Sequence, residues 1–326
     1  MHGTLMDVKV IRDAVRLACR APSLHNSQPW RLDLDGKGVH LFLDTSRVML
    51  STDRSAREAI ISCGALLDHL RVAMAAAGWK AHVDRSPNPN NLDHLASIDF
   101  TPMKLVTEAH RRRVDAILIR RTDRLPFAAP TEWESFEPLL RLACDTDAVR
   151  LDVMSDDVRE ELEEMSKLTN SLRLYDSAYN SELDWWTAPF KFSEGIPYSA
   201  LVSADEVKKV DFGRTFPLPR HRERHAEVPS DHSKILALST YGDSRKDALI
   251  CGEVLSAVLL ECTMTGLGTC TVTHITELRT TRELVAAVIG QDAVSQVLIR
   301  VGIAPTTNDA PATPRRPLDD VLRFRS

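Results

Sequence analysis

The sequence has no excess of positive charge. Its 41 Lys and Arg are outnumbered by 46 Asp and Glu, for a net charge of -5. That balance argues against a general binder of nucleic acid or of an acidic membrane surface, and neither is an expected partner. No run approaches the roughly 20 apolar residues of a membrane span, and Met1–Val10 holds no apolar core of signal-peptide length. The six cysteines (Cys19, Cys63, Cys144, Cys251, Cys262, Cys270) form no Cys-x-x-Cys pair. Most fall in apolar helical patterns, as reduced core residues do. These absences lead to the expectation of a cytoplasmic protein.

What is present is ordinary globular material: 43% hydrophobic and 27% charged residues over 326 positions, enough for one large core or two smaller ones. The unusual stretch is Ala21-Pro22-Ser23-Leu24-His25-Asn26-Ser27-Gln28-Pro29-Trp30. It ends a helical pattern (Val10, Ala14, Leu17, Ala18) and leads into the strand-like run Arg31–Leu43. Pro22 and Pro29 fix φ at two places and stop the helix. Ser23, His25, Asn26, Ser27 and Gln28 lie between them, on a backbone held still to present hydrogen bonds. A capped turn carrying a buried Trp is the plain alternative.

Landmarks recur along the chain. Cys63-Gly64 precedes Gly78 as Cys251-Gly252 precedes Gly266, and the two sets lie 188 residues apart. Each window is apolar at helical spacing, ends at a Gly suited to a left-handed cap, and is followed by a β-like segment, Ala81–Asp84 or Thr269–Thr273. We read a two-copy repeat of one α/β unit, residues 1–110 and 111–326. Further strands are expected at Val39–Leu43, Ile98–Phe100, Val149–Met154, Ile235–Thr240 and Val297–Ile303. Helices are expected at Asp7–Ala21, Asp53–Ala77, Thr107–Arg121, Thr131–Ala143, Asp156–Asn180, Arg245–Thr265 and Glu277–Ile289. The segment from about 185 to 231 fits neither period. Its Trp185, Trp186, Phe190, Phe192, Phe212 and Phe216 favour a lid-like insert over disorder.

Arg120-Arg121-Thr122-Asp123-Arg124 puts three guanidiniums and a hydroxyl in five residues, a suitable phosphate clamp; the plain alternative is a solvated basic turn. Gly266-Leu267-Gly268-Thr269 lets backbone approach a flat ligand, or is simply a tight turn. It is no dinucleotide fingerprint, for lack of a third glycine and a following helix. His221, His225 and His232 have neither Cys nor carboxylate to complete a metal site. Ser23 and His25 lack a nucleophile elbow. No metal and no side-chain acid or base catalyst is expected.

A-P-S-x-x-N-S-Q-P-W resembles the nitroreductase family of flavin mononucleotide (FMN) enzymes, α+β dimers that hold each FMN between two subunits. Ile117–Arg124 resembles the family's R-R-S-x-R opening, with Thr122 for Ser. Val301–Pro305 followed by Pro314-Arg315-Arg316-Pro317-Leu318 resembles its closing stretch. Phrases such as H-L-A-S-I-D-F and R-R-T-D-R-L-P-F resemble its single-chain, internally duplicated actinobacterial branch, the Acg (alpha-crystallin adjacent gene) group. The resemblance implies a duplicated nitroreductase-like α+β fold, a monomer acting as its own pseudo-dimer, and one FMN between the halves. The ring would lie between Pro22, Ser23, Leu24, His25 and Asn26 on one side and Gly266, Gly268 and Thr269 on the other. Arg120, Arg121, Thr122, Arg124, Arg315 and Arg316 would hold the phosphate and ribityl chain. It further implies NADH or NADPH as reductant; the long aromatic and basic segment from 185 to 231 suggests the alternative, a non-catalytic FMN-sequestering protein with that segment over the ring. On this reading Asn26→Ala weakens FMN binding with little loss of fold, whereas Trp30→Ala mainly costs stability.

Overall fold

The computed structural model describes residues 7–144, 146–188, 193–217, 224, 227–290, 293–305 and 312–325. Phe190, Phe192, His221 and His225 lie outside them. The first unit opens with α1 (Val8–Ala18), capped by the Asp7 carboxylate, which accepts from the Lys9 N–H at 2.8 Å. A hairpin follows, β1 (Trp30–Leu34) and β2 (Val39–Leu43), in place of the single run expected from Arg31 to Leu43. Then come α2 (Arg57–Ala76), β3 (Trp79–Arg85) and β4 (His94–Pro102), with α3 (Glu108–Ile119) lying across the expected boundary at 110/111.

The second unit runs α4 (Trp133–Ala143), β5 (Val149–Val153), α5 (Arg159–Arg173), α6 (Ser177–Trp186), α7 (Ala204–Val207), β6 (Lys234–Thr240), α8 (Arg245–Met264) and β7 (Gly268–Val272). It ends with α9 (His274–Glu277), α10 (Arg279–Ile289), β8 (Val294–Gly302), α11 (Leu318–Val321) and β9 (Leu322–Phe324). The helix expected over Asp156–Asn180 is broken. The chain turns at Leu174–Asp176, where Asp176 caps α6 by accepting from the Tyr179 N–H at 3.0 Å. A polar residue that can cap a new helix overrides the continuous pattern.

Two sheets result. One has the order β3-β4-β2-β1-β9, the other β7-β8-β6-β5. The first four strands of each follow the same spatial sequence, all pairs antiparallel, and both carry a register irregularity at the equivalent pairing, at Leu41/Phe42 and at Leu238/Ser239. The C-terminal β9 adds in parallel to β1, Leu32 opposite Leu322. The chain's end thus completes the sheet of its beginning.

Between the sheets α2 and α8 cross and form the centre of the core. Both end as expected at glycines in the left-handed region, Gly78 (φ 86°) and Gly266 (φ 79°). Contrary to the expectation that no run approaches a membrane span, length and composition alone would let α2 cross one. Here it is wrapped by protein, with both polar and apolar side chains buried from Arg57 to Leu70. All six cysteines are buried and free.

Candidate functional site

A cavity of about 510 Å³ opens where the two units meet, a volume within the ordinary range for small-molecule sites. The first unit supplies Pro22–His25 and, from the first turns of α2, Glu58, Ile61 and Ser62. The second supplies Thr122, Arg124, the face of α5 at Ser166 and Asn170, and Cys270–His274. The insert closes one side with Phe212–Phe216.

The Ala21–Trp30 stretch is strained and firmly braced. His25, Asn26 and Gln28 adopt φ of 46°, 58° and 51°, a region costing non-glycine residues about 1–3 kcal/mol each. Ser23 Oγ accepts from the Gln28 N–H at 3.0 Å, and the Leu24 N–H donates to Ser62 Oγ at 3.2 Å. Asn26 Nδ2 donates to the carbonyls of Gly195 (3.0 Å) and Pro314 (3.1 Å). Gln28 Nε2 donates to Ser193 O at 2.8 Å, and its Oε1 accepts from the Arg316 N–H at 2.9 Å. The stretch therefore does two things. Pro22–His25 faces the cavity, while Asn26 and Gln28 reach away to tie down the insert and the closing segment. Among the described residues the buried His25 ring has no hydrogen-bond partner, and it meets Phe216 edge-on at 5.8 Å. Burial, and then the Arg214 and Arg124 charges, hold its pKa well below the ordinary value and keep it neutral.

The two other expected segments also meet. Thr122 pairs with Thr269, and the Asp123 N–H donates to Thr269 O at 2.9 Å. Only Thr122 and Arg124 reach the cavity wall; on β7 the wall begins at Cys270, beyond Gly266, Gly268 and Thr269. Gly268 is small because Phe127 lies against it: a Cβ would come within 2.8 Å of that ring. The Arg124 guanidinium stands over Phe216, 5.3 Å from the ring centre.

Arg120 is buried, with Nε and Nη1 lacking partners among the described residues. Burial, with Arg20 nearby, draws its pKa down to about 10. Burial and the charges of Arg120 and Arg20 draw Arg315 down to about 9. Arg315 nevertheless has a structural task. It donates to the carbonyls of Cys19 (2.7 Å) and Arg20 (2.9 Å) at the end of α1. Arg316 Nη1 donates to the carbonyls of Gln28 (3.1 Å) and Trp30 (3.2 Å). These arginines fasten the closing segment onto the opening motif. Arg121 is exposed.

Several cavity residues escaped the sequence reading. Arg214, from the insert, is buried against Glu277 of α9 in an ion pair and donates to Tyr179 Oη at 2.7 Å. Glu58 accepts from Arg57 Nη2 at 3.1 Å on Oε1, while its buried Oε2 has no partner among the described residues. Burial first, and then the Glu277 charge, pushes its pKa well above the usual range. Ser166 Oγ lies 2.8 Å from His274 Nε2 and accepts from the Gly213 N–H at 3.3 Å. No local pattern marks these residues, because folding brings them from α2, α5, α9 and the insert.

No family model matches the chain. A protein of Mycobacterium tuberculosis H37Rv named "Putative NAD(P)H nitroreductase acg" is 59% identical over 327 residues, covering 100% of this chain and 99% of that protein. A second from the same strain, "Putative NAD(P)H nitroreductase Rv3131", is 34% identical over 328 residues, covering 99% and 94%. A solved "putative nitroreductase" from Anabaena variabilis shares the fold, with a TM-score of 0.54 at 9% identity over 90% of this chain and 88% of that one. With relatives this similar along its whole length, the chain belongs to the nitroreductase family.

Proposed function

We propose that this chain binds FMN in the cavity between its two units and serves as an NAD(P)H-dependent oxidoreductase. The observation that carries this reading is a pairing of cavity and charge. The wall segments Pro22–His25 and Thr122–Arg124 begin two residues from Arg20 and Arg120, at most about 7 Å of extended chain. These arginines have buried nitrogens without partners among the described residues. An apolar cavity whose wall segments lie two residues along the chain from buried cations suits a planar ring with an anionic tail, and a phosphate accepts from forked guanidiniums. Arg120 would hold the phosphate, with the Arg315 charge behind it. Thr122 and Arg124 would face the ribityl chain and the polar ring edge, and Pro22–His25 one ring face. For Arg121 and Arg316 the family motif is the support. FMN, when bound, supplies the hydride chemistry. The protein orients it, keeps water out with Phe212 and Phe216, and offers cationic electrostatics.

The shared strand order of the two sheets and the 188-residue offset support a duplication, with units 1–110 and 111–326. A chain that pairs its own halves needs no second copy, so we expect a cytoplasmic monomer. A visible spectrum of the purified protein before and after anaerobic NADPH tests the function. Bleaching of bound FMN supports it, and FMN that neither NADH nor NADPH reduces overturns it.

One observation favours a second reading, FMN sequestration: the insert forms a wall of the cavity and is anchored by the Arg214–Glu277 ion pair. If removal of the insert raises NAD(P)H oxidation, sequestration is supported; unchanged oxidation rejects it.

A further inference from the structure

We propose that Glu58 is a ligand-contacting residue of the cavity, donating a hydrogen bond from its carboxyl group to a carbonyl oxygen or ring nitrogen of the bound flavin. The inference deepens the FMN reading and rests on it.

Glu58 stands in the first turn of α2, on the cavity wall, and is 3% exposed. Its two oxygens differ. Oε1 accepts from Arg57 Nη2 at 3.1 Å, while Oε2 is buried and has no partner among the described residues. The same guanidinium also serves the backbone, donating from Nη1 to Gln296 O at 2.6 Å and from Nη2 to Thr276 O at 2.8 Å. The other charged groups near Glu58 are engaged elsewhere. Asp53, just before α2, accepts from the Ala59 N–H at 2.8 Å. Glu277 of α9 is paired with Arg214 of the insert.

The repeated fold asks for no buried acid at this place. The counterpart of Glu58, 188 residues on, is Lys246, exposed in the first turn of α8. The acid occurs only in the copy whose first turn lines the cavity. Burial, and then the Glu277 charge, keep the proton on Glu58. With Oε1 accepting from Arg57, that proton belongs on Oε2, which becomes a buried hydroxyl donor in want of an acceptor. A flavin ring supplies uncharged acceptors, its carbonyl oxygens and unprotonated nitrogens, on a flat body that suits the neighbouring Ile61 and Phe216 of the wall. A water fixed on Oε2 is the plain alternative.

Titration of the full-length protein with riboflavin and with FMN, near neutral pH, reads the contact. Glu58→Leu should weaken both ligands alike, by about tenfold. Glu58→Gln keeps an acceptor for Arg57 and a donor for the ring, and should bind both as wild type does. Infrared difference spectra on adding riboflavin should show a protonated-carboxyl band that moves to lower frequency and is absent from the Gln variant. A Leu variant that binds as tightly as wild type, as it would if water alone served Oε2, overturns the inference. So does a Gln variant that loses as much as Leu, or a carboxyl band that vanishes or stays in place on binding. The spectra decide the matter even if Glu58→Leu does not fold. Wild-type protein that binds neither flavin overturns the FMN reading and this inference with it, whereas failure in the variants alone leaves that reading standing.

Discussion

Gly64 and Gly252 face each other across the α2–α8 crossing with no room for a methyl group on either. A Cβ on Gly64 would lie 2.0 Å from the Leu249 carbonyl oxygen and 2.9 Å from the Gly252 Cα; one on Gly252 would lie 2.0 Å from the Ile61 carbonyl oxygen and 2.9 Å from the Gly64 Cα. The contacts are reciprocal, and Ile61, Gly64 and Asp68 each have their counterpart 188 residues on, at Leu249, Gly252 and Ser256. Helices that meet backbone to backbone must separate to admit a side chain. Gly64→Ala and Gly252→Ala should each destabilise by at least about 1–3 kcal/mol. The double variant should cost less than the sum, because one separation serves both methyls. Urea unfolding of the three variants measures this, and strict additivity would show that the contacts are independent.

The same crossing carries a titrating group. Asp68 Oδ2 accepts from Ser256 Oγ at 2.6 Å, and burial raises the Asp68 pKa to about 6, from 3.8. The folded state therefore favours the proton. That contribution is fully present below about pH 4 and is lost as pH rises through 6. Asp68→Asn keeps an acceptor for Ser256 and removes the charge. It should match wild type near pH 4 and be more stable at pH 8, by up to about 3 kcal/mol. Unfolding curves at both pH values decide the point: an offset that does not change with pH would mean that Asp68 does not titrate in this range.

Asn26 was expected from the sequence to act on the ligand with little effect on the fold. Its amide instead bridges Gly195 of the insert and Pro314 of the closing segment. Asn26→Ala should lose about 1–3 kcal/mol for two hydrogen bonds. The left-handed φ of 58° suits Asn better than Ala. Proteolysis within the insert should accelerate in the variant. Unchanged stability and proteolysis would restore the ligand-contact reading.

The fold was largely legible because its signals are local. The apolar periods of α2 and α8, the glycines that end them, and the strands after them are all written in adjacent residues. Much of the cavity was not. Pro22–His25 and Thr122–Arg124 stand out as motifs, but Glu58, Ser166, Arg214 and Glu277 become neighbours only after folding. Arg315 and Arg316 show the converse. Their motif marks them as ligand contacts, yet much of their donor capacity goes to backbone carbonyls at α1 and β1 that no linear pattern reveals.

Arg214 and Glu277 fix the insert over the cavity, with side chains 6% and 1% exposed. The pair also acts on Glu58, because after burial the Glu277 charge is a cause of its raised pKa. Arg214→Met would leave Glu277 buried without its cation, beside a second acid. Losing one partner of a buried pair costs about 3–5 kcal/mol, so the variant should unfold earlier and release the insert to protease. Replacing both, Arg214→Met with Glu277→Leu, removes the orphaned charge and should recover most of the stability, though not the hydrogen bond to Tyr179. Thermal unfolding with limited proteolysis separates the two effects. If the double variant is as unstable as the single one, the shape of the pair matters more than its charge, and the insert is held by packing around Phe212 and Phe216.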